Sequence, residues 1–159
     1  MAAEIERKFL VADDSWRDGS MGVRIAQGYL SQDPDRTVRV RLAGENAWIT
    51  IKGRSQGITR AEFEYAIPPE EARELLVLCL PSVIDKTRHE IRNGGHVWEV
   101  DVFHGENDGL IVAEVELSNE NEKPEMPAWL GAEVSDDVRY FNSHLARLPF
   151  THWAAISEE

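Results

Sequence analysis

Pairs of like charges two residues apart recur along this chain: Glu4 and Glu6, Arg39 and Arg41, Glu62 and Glu64, Lys86 and Arg88, Glu99 and Asp101, Glu114 and Glu116. The residue between each pair is apolar or β-branched. That is the two-residue period of a β-strand, with one charged and one apolar face. Charges at this spacing lie roughly 7 Å apart and repel. A one-sided antiparallel sheet with its charged face in water is the ordinary source of such alternation. Solvent faces, however, usually set opposite signs beside each other. Same-sign pairs on six strands cost stability unless a ligand or metal resolves them, or unless neighbouring strands interleave opposite signs. Costs of this kind are tolerated at functional sites.

Strand-like runs separated by turn signals dominate the rest. "EIERKFLV" is followed by "VRIAQGYLS", "TVRVRLAG", "AWITIKG" and "TRAEFEYAI", then by "VIDKTRHEIRN", "HVWEVDVF" and "LIVAEVELS". Gly44-Glu45-Asn46 and Asn93-Gly94-Gly95 read as hairpin loops. "PPEEARELLVLCLP" breaks the pattern. Its paired prolines, acidic first turn and apolar Ala72, Leu75, Leu76 and Cys79 predict a helix stopped by Pro81. "NENEKPEMPAWLGAEV" reads as a loop. Ser135 reads as the N-cap of a second helix, "DDVRYFNSHLARL", with Val138, Phe141, Leu145 and Leu148 on one face. A mainly β chain (α+β by content) of one domain, residues 1–159, follows.

Eight antiparallel strands favour closure into a barrel, which removes exposed edges. With the charged faces inward, the barrel encloses a polar tunnel lined by both signs, and the two helices flank its apolar outer wall. Arg and Lys there grip phosphate oxygens. Clustered carboxylates suit oxygen-seeking Mg²⁺ or Mn²⁺. A divalent cation between Glu4, Glu6 and carboxylates of another strand resolves the repulsion in the first strand. Metal-assisted phosphoryl transfer needs both halves of such a site.

The remaining features narrow the function by exclusion. The net charge of −12 disfavours general attraction to nucleic acid or to an anionic membrane. No window is apolar enough to span a bilayer, and the charged start "MAAEIERKFL" is unlike a signal peptide. The single cysteine, Cys79, reads as a core residue in a reducing, cytoplasmic protein. Histidines 89, 96, 104, 144 and 152 have no zinc-ligand spacing and read as surface or partly buried. Trp48 and Trp98 are placed on the charged face near the tunnel ends, as rim or packing residues. Tyr140 and Asn142 stand where they could close one mouth. An incompletely covered apolar wall favours a homodimer.

These residues carry a family resemblance. "EIERK" resembles the Glu-x-Glu-x-Lys signature that opens the CYTH proteins, or triphosphate tunnel metalloenzymes. "RVR", "IK", "EFE", "DKTR", "EVDVF" and "EVEL" follow in that family's order, and "RYFNSHLA" is similar to its short bacterial members. The resemblance implies a closed eight-stranded antiparallel tunnel acting on triphosphate compounds with Mg²⁺ or Mn²⁺. It implies triphosphate binding by Lys8, Arg39, Arg41, Lys52, Lys86 and Arg88. It implies metal binding by Glu4, Glu6, Glu114 and Glu116, with Glu62, Glu64 and Asp101 supporting the metal or orienting the basic residues. Glu4, Glu6, Lys8 and Glu116 stand nearest the chemistry. Arg60, Glu90, Arg92 and Glu99 share the inward parity without an implied role. The family includes inorganic, thiamine and nucleoside triphosphatases and class IV adenylate cyclases. The compact chain, without an obvious base or thiazole pocket, points to inorganic tripolyphosphate first and a cyclase second. A non-catalytic polyphosphate binder would not need all four metal-site carboxylates.

Overall fold

The computed structural model describes residues 3–79 and 83–153. Among the described residues there are nine strands: β1 (Ala3–Val11), β2 (Val23–Ser31), β3 (Thr37–Ala43), β4 (Asn46–Lys52), β5 (Thr59–Ile67), β6 (Ile84–Asn93), β7 (His96–Phe103), β8 (Ile111–Glu116) and β9 (Leu130–Glu133). Two α-helices accompany them, α1 (Pro69–Leu78) and α2 (Asn142–Leu145). The strands run in the order β5-β4-β3-β2-β6-β7-β8-β1, every pairing is antiparallel, and β5 returns to β1. This closes an eight-stranded barrel. Both glycine hairpins form as expected, Ala43 facing Asn46 and Asn93 facing His96. Gly44 and Gly94 each take φ 62°, a conformation that favours glycine.

The ninth strand departs from the sequence expectation, which had residues 119–134 as loop. One edge of β1 pairs with β8 through Glu6–Leu10. Its other edge is shared, Ala3–Ile5 pairing with β5 and Phe9–Val11 with β9. Four residues are too few to show alternation. Gly131 lets the strand lie close, since a Cβ there would come 3.2 Å from the Leu10 carbonyl oxygen. Arg7, outward on β1, pins β9 with two hydrogen bonds to Glu133, of 3.0 and 2.8 Å.

The inverted pattern of a polar interior puts the apolar packing outside the barrel wall. Phe9, Ile91, Trp98, Val100, Ala113 and Val115 form an outer cluster, covered by Trp16 and Trp129 from connecting segments. Trp98 is therefore not on the charged face. It shares parity with Val100, is fully buried, and meets Phe9 and Trp129 edge-on at 5.7 and 6.0 Å. Trp48 does face inward, opposite Arg41, but stands outside the cavity wall. A second outer cluster sets Ala72, Leu75 and Leu76 of α1 against Val40 and Ala47. Pro69 at the first turn and Glu70 and Glu71 beside it start this helix. Pro81, expected to stop it, lies outside the described residues. Cys79 is half-buried rather than in the core, pressed against Gly28, where a Cβ would come within 2.8 Å of its sulfur. His89 is more enclosed than expected, packed edge-on to Trp16 at 5.0 Å.

The predicted second helix is broken. Val138–Tyr140 form a single 3₁₀ turn capped by Asp137, Phe141 is extended (φ −70°, ψ 135°), and α2 keeps only four residues. Ser135 is not the cap. Its hydroxyl oxygen accepts from the Lys8 backbone N–H at 2.9 Å, as part of the β9 junction. The break has a physical reason: it turns the Tyr140 carbonyl toward the Lys8 ammonium at 3.2 Å instead of committing it to a helix ladder. Leu145 and Ala146 then pack with Tyr29, Ile84, Phe103 and Val112, inward residues at one end of the barrel. That end is filled with apolar side chains, and the polar cavity lies beyond it.

Candidate active site

The barrel encloses a cavity of about 300 Å³. Its wall contains Glu4, Glu6 and Lys8 of β1, Arg39 and Arg41 of β3, Lys52 of β4, Arg60, Glu62 and Glu64 of β5, Lys86 and Arg88 of β6, Glu99 of β7, and Glu114 and Glu116 of β8. Every sequence-predicted site residue except Asp101 reaches this space. Asp101 is about 1% exposed and sits behind the wall. One oxygen accepts from Arg88 Nε at 2.8 Å; the other accepts from Arg88 Nη2 at 2.9 Å and pairs with Lys86 at 2.8 Å. Glu90 and Arg92 point along the same face but are exposed beyond the wall.

Strand register decides which charges are matched. Lys52 pairs with Glu4 at 2.6 Å, Lys8 with Glu114 at 3.4 Å, and Arg88 with Glu99 at 3.0 Å. Arg39 reaches Glu64 at 3.6 Å, and Thr50 bridges the two. Signs are thus interleaved between strands, which answers much of the repulsion within each strand. Apart from Arg60, which has only neutral partners among the described residues, the remainder falls in two places. Arg41 is half-buried, with no carboxylate in ion-pairing reach among the described residues; its Nε donates to the Gln27 amide oxygen at 2.8 Å. Burial, with Arg39 and Arg88 nearby, lowers its guanidinium to about 9. The Arg39 Nε beside it is buried without a hydrogen-bond partner among the described residues. On the other side, Glu6 faces Glu116 directly across the β1–β8 ladder, and neither has an ion-pair partner among the described residues. Burial, then the Glu114 and Glu4 carboxylates, push Glu6 up to about 8. Burial and a shared hydrogen bond with Glu62 raise Glu4 to about 7 despite Lys52.

Elsewhere the balance falls the other way. Burial works against the charged forms of Asp101 and Glu114, yet both are held below the usual carboxylate range, Asp101 by Lys86 and Arg88 and Glu114 by Lys8 and Arg88. Lys8 is drawn down by burial but raised overall by Glu114 and Glu6. The cavity therefore holds a cation-rich wall around Arg39 and Arg41 and a carboxylate-rich wall around Glu4, Glu6 and Glu116. Among the described residues, no three Asp, Glu, His or Cys side chains converge as a ready-made metal cage.

Several inward residues went beyond the sequence reading. Tyr29 and Thr37 are on the cavity wall, while Gln27 and Thr50 lie behind it; Gln27, Thr50 and Thr37 accept hydrogen bonds from Arg41, Arg39 and Arg60. Arg60, given no role, donates to the Gly53 carbonyl and to Thr37 Oγ1 at 2.6 and 2.8 Å. Phe141, Asn142 and Ser143 line the cavity from the broken helix. For Gln27 a signal existed, since it shares parity with Tyr29 and Ile25 on a strand without inward charges.

A closed antiparallel barrel with a charged interior of both signs defines the class of triphosphate tunnel proteins. The chain belongs to the CYTH domain family, whose sequence pattern matches residues 2–145. It is 46% identical over 154 residues to an inorganic triphosphatase of Acetivibrio thermocellus, covering 96% of this chain and 99% of that one. It is 36% identical over 148 residues to an inorganic triphosphatase of Nitrosomonas europaea, covering 90% and 96%. The fold matches the crystal structure of the inorganic triphosphatase NE1496 with a TM-score of 0.65 and 34% identity, covering 90% and 97%.

Proposed function

We propose that this protein hydrolyses inorganic tripolyphosphate to pyrophosphate and phosphate with the help of Mg²⁺ or Mn²⁺. The observation that carries the reading is the pair of unbalanced walls in one cavity, Arg41 with the unpartnered Arg39 Nε against Glu6 with Glu116. A linear polyanion accompanied by divalent cations neutralises both at once. The names of the relatives point to the same substrate.

In this reading Arg39, Arg41, Lys52, Lys86 and Arg88 take the phosphate oxygens, the arginines through paired N–H donors. Lys8 stands between the two walls. The all-oxygen donor set of Glu4, Glu6, Glu114 and Glu116 fits a hard divalent cation, with Glu62 and Glu64 adjoining. Since no cage is preformed among the described residues, phosphate oxygens would have to complete the ligand set. A cation bound there supplies charge neutralisation and a more acidic water. Asp101 keeps Lys86 and Arg88 charged and aimed, in the orienting role. Glu6 and Glu4 give up protons as the carboxylate wall becomes compensated. Most of the rate enhancement then comes from positioning and fixed charge, since phosphoryl transfer asks for little covalent chemistry from the protein.

The test is phosphate release from tripolyphosphate, ATP and thiamine triphosphate, each with Mg²⁺, Mn²⁺ or EDTA, with ATP products separated. Metal-dependent turnover of tripolyphosphate well above the others supports the reading. Cyclic AMP from ATP, or tight binding with no turnover, overturns it.

A further inference from the structure

Gln27 is fully buried on β2 and faces the barrel interior without reaching the cavity. Its Oε1 accepts from Arg41 Nε at 2.8 Å, and its Nε2 donates to Asn142 Oδ1 at 2.9 Å. Asn142 Oδ1 also accepts from Lys86 Nζ, at 2.8 Å. The two ends of this chain settle its polarity. Guanidinium and ammonium groups can only donate, so each amide must turn its oxygen toward its cation, and one Gln27 N–H is left for Asn142. No other arrangement satisfies all three bonds.

The choice of an amide at this position has an electrostatic content. Lys8, Lys52, Lys86, Arg39 and Arg88 each pair with a carboxylate. Among the described residues Arg41 and Arg60 do not, and Arg41 is oriented instead by the neutral Gln27 amide. We infer that Gln27 is a positioning residue for substrate binding, which orients Arg41 without neutralising it and, through Asn142, fixes Lys86 in the same frame. Arg41 thereby stays an uncompensated cation for a phosphate oxygen. The inference rests on the triphosphate reading for the identity of the anion. A purely structural Gln27 would make the same bonds but would not care whether position 27 carried charge.

Glu is nearly isosteric with Gln and accepts from Arg41 with a charge-assisted bond. Gln27→Glu therefore separates the two roles, and Gln27→Met removes the anchor without adding charge. The experiment measures thermal unfolding of the apo full-length chain, and kcat and KM for tripolyphosphate with Mg²⁺. Gln27→Glu exchanges the Nε2 donor to Asn142 for a charge-assisted bond to Arg41, so it should lose less stability than Gln27→Met while KM rises about tenfold or more, with kcat falling far less than kcat/KM. Gln27→Met should unfold earlier and show a smaller KM rise. Wild-type KM in Gln27→Glu overturns the inference. So does a KM rise in both variants that merely follows lost stability. A wild type that fails to turn over tripolyphosphate removes the triphosphatase reading instead. Calorimetric binding of tripolyphosphate then scores Gln27 by the same comparison, with equal affinity of wild type and Gln27→Glu counting against it.

Discussion

Lys86 and Asp101 form a 2.8 Å ion pair in which each side chain is about 1% exposed. Arg88 closes on the same carboxylate with two hydrogen bonds. A buried pair contributes little net stability, but breaking one strands a charge without compensation. Asp101→Ala should therefore lower the unfolding free energy by about 3–5 kcal/mol, read from urea denaturation. A loss below about 1 kcal/mol would mean that Asp101 does not hold the two cations.

Arg39 and Arg41 should carry phosphate contacts that tighten as charge shifts toward the leaving oxygen. Alanine at either position is expected to raise KM and lower kcat together, with kcat/KM for tripolyphosphate falling on the order of a hundredfold. Arg41→Lys should recover only part of this, because lysine lacks the planar paired donors. Steady-state kinetics on the three variants decides it, and full recovery by lysine would argue for a simple point charge.

Glu4→Ala and Glu116→Ala should reduce kcat by about two orders of magnitude, as removal of a key electrostatic group does. EDTA should abolish turnover of the wild type. Near-normal turnover in Glu116→Ala would take Glu116 out of the metal set.

The apo protein should lose stability as pH rises from about 5 to 8. Glu6 at about 8 and Glu4 at about 7 lie above their ordinary value of 4.5, so the folded state retains protons that the unfolded chain has released. Rising pH therefore favours unfolding across that window. Asp101 and Glu114 have the opposite sign, and the stability they contribute is lost in acid, below the ordinary carboxylate range. Glu6→Gln should flatten the alkaline slope of the melting temperature and raise it at pH 8 while reducing activity. An unchanged slope in this variant would assign the titration elsewhere.

Strand existence and inward parity were legible because like charges repeat at every second position on β1, β3 and β5 to β8, even where Arg7 or Asp85 interrupts the outer face. That alternation alone puts Glu4, Glu6, Arg39, Arg41, Lys86, Arg88, Glu114 and Glu116 in one cavity. Partner choice was not legible. Whether Lys8 meets Glu114 or Glu6 depends on register across strands far apart in sequence. Asp101 illustrates the limit, since parity turned it inward but depth along the barrel put it behind Lys86. The α2 region misled for a different reason. Val138, Phe141 and Leu145 keep helical spacing, yet Tyr140, Phe141 and Asn142 gain more from contacts with Lys8, Lys86 and Gln27 than from a continued helix. β9 was missed because its pairing is set by Arg7 and Gly131, not by a hydrophobic period.

The shared edge of β1 has a consequence for how the protein is made. Glu4, Glu6 and Lys8 are translated before the strands that flank them, β5, β8 and β9. During synthesis the barrel stays open until β8 and β9 have cleared the ribosome. The carboxylate wall cannot gather before then, so the nascent chain offers polyphosphates and divalent ions only dispersed charges until the barrel closes.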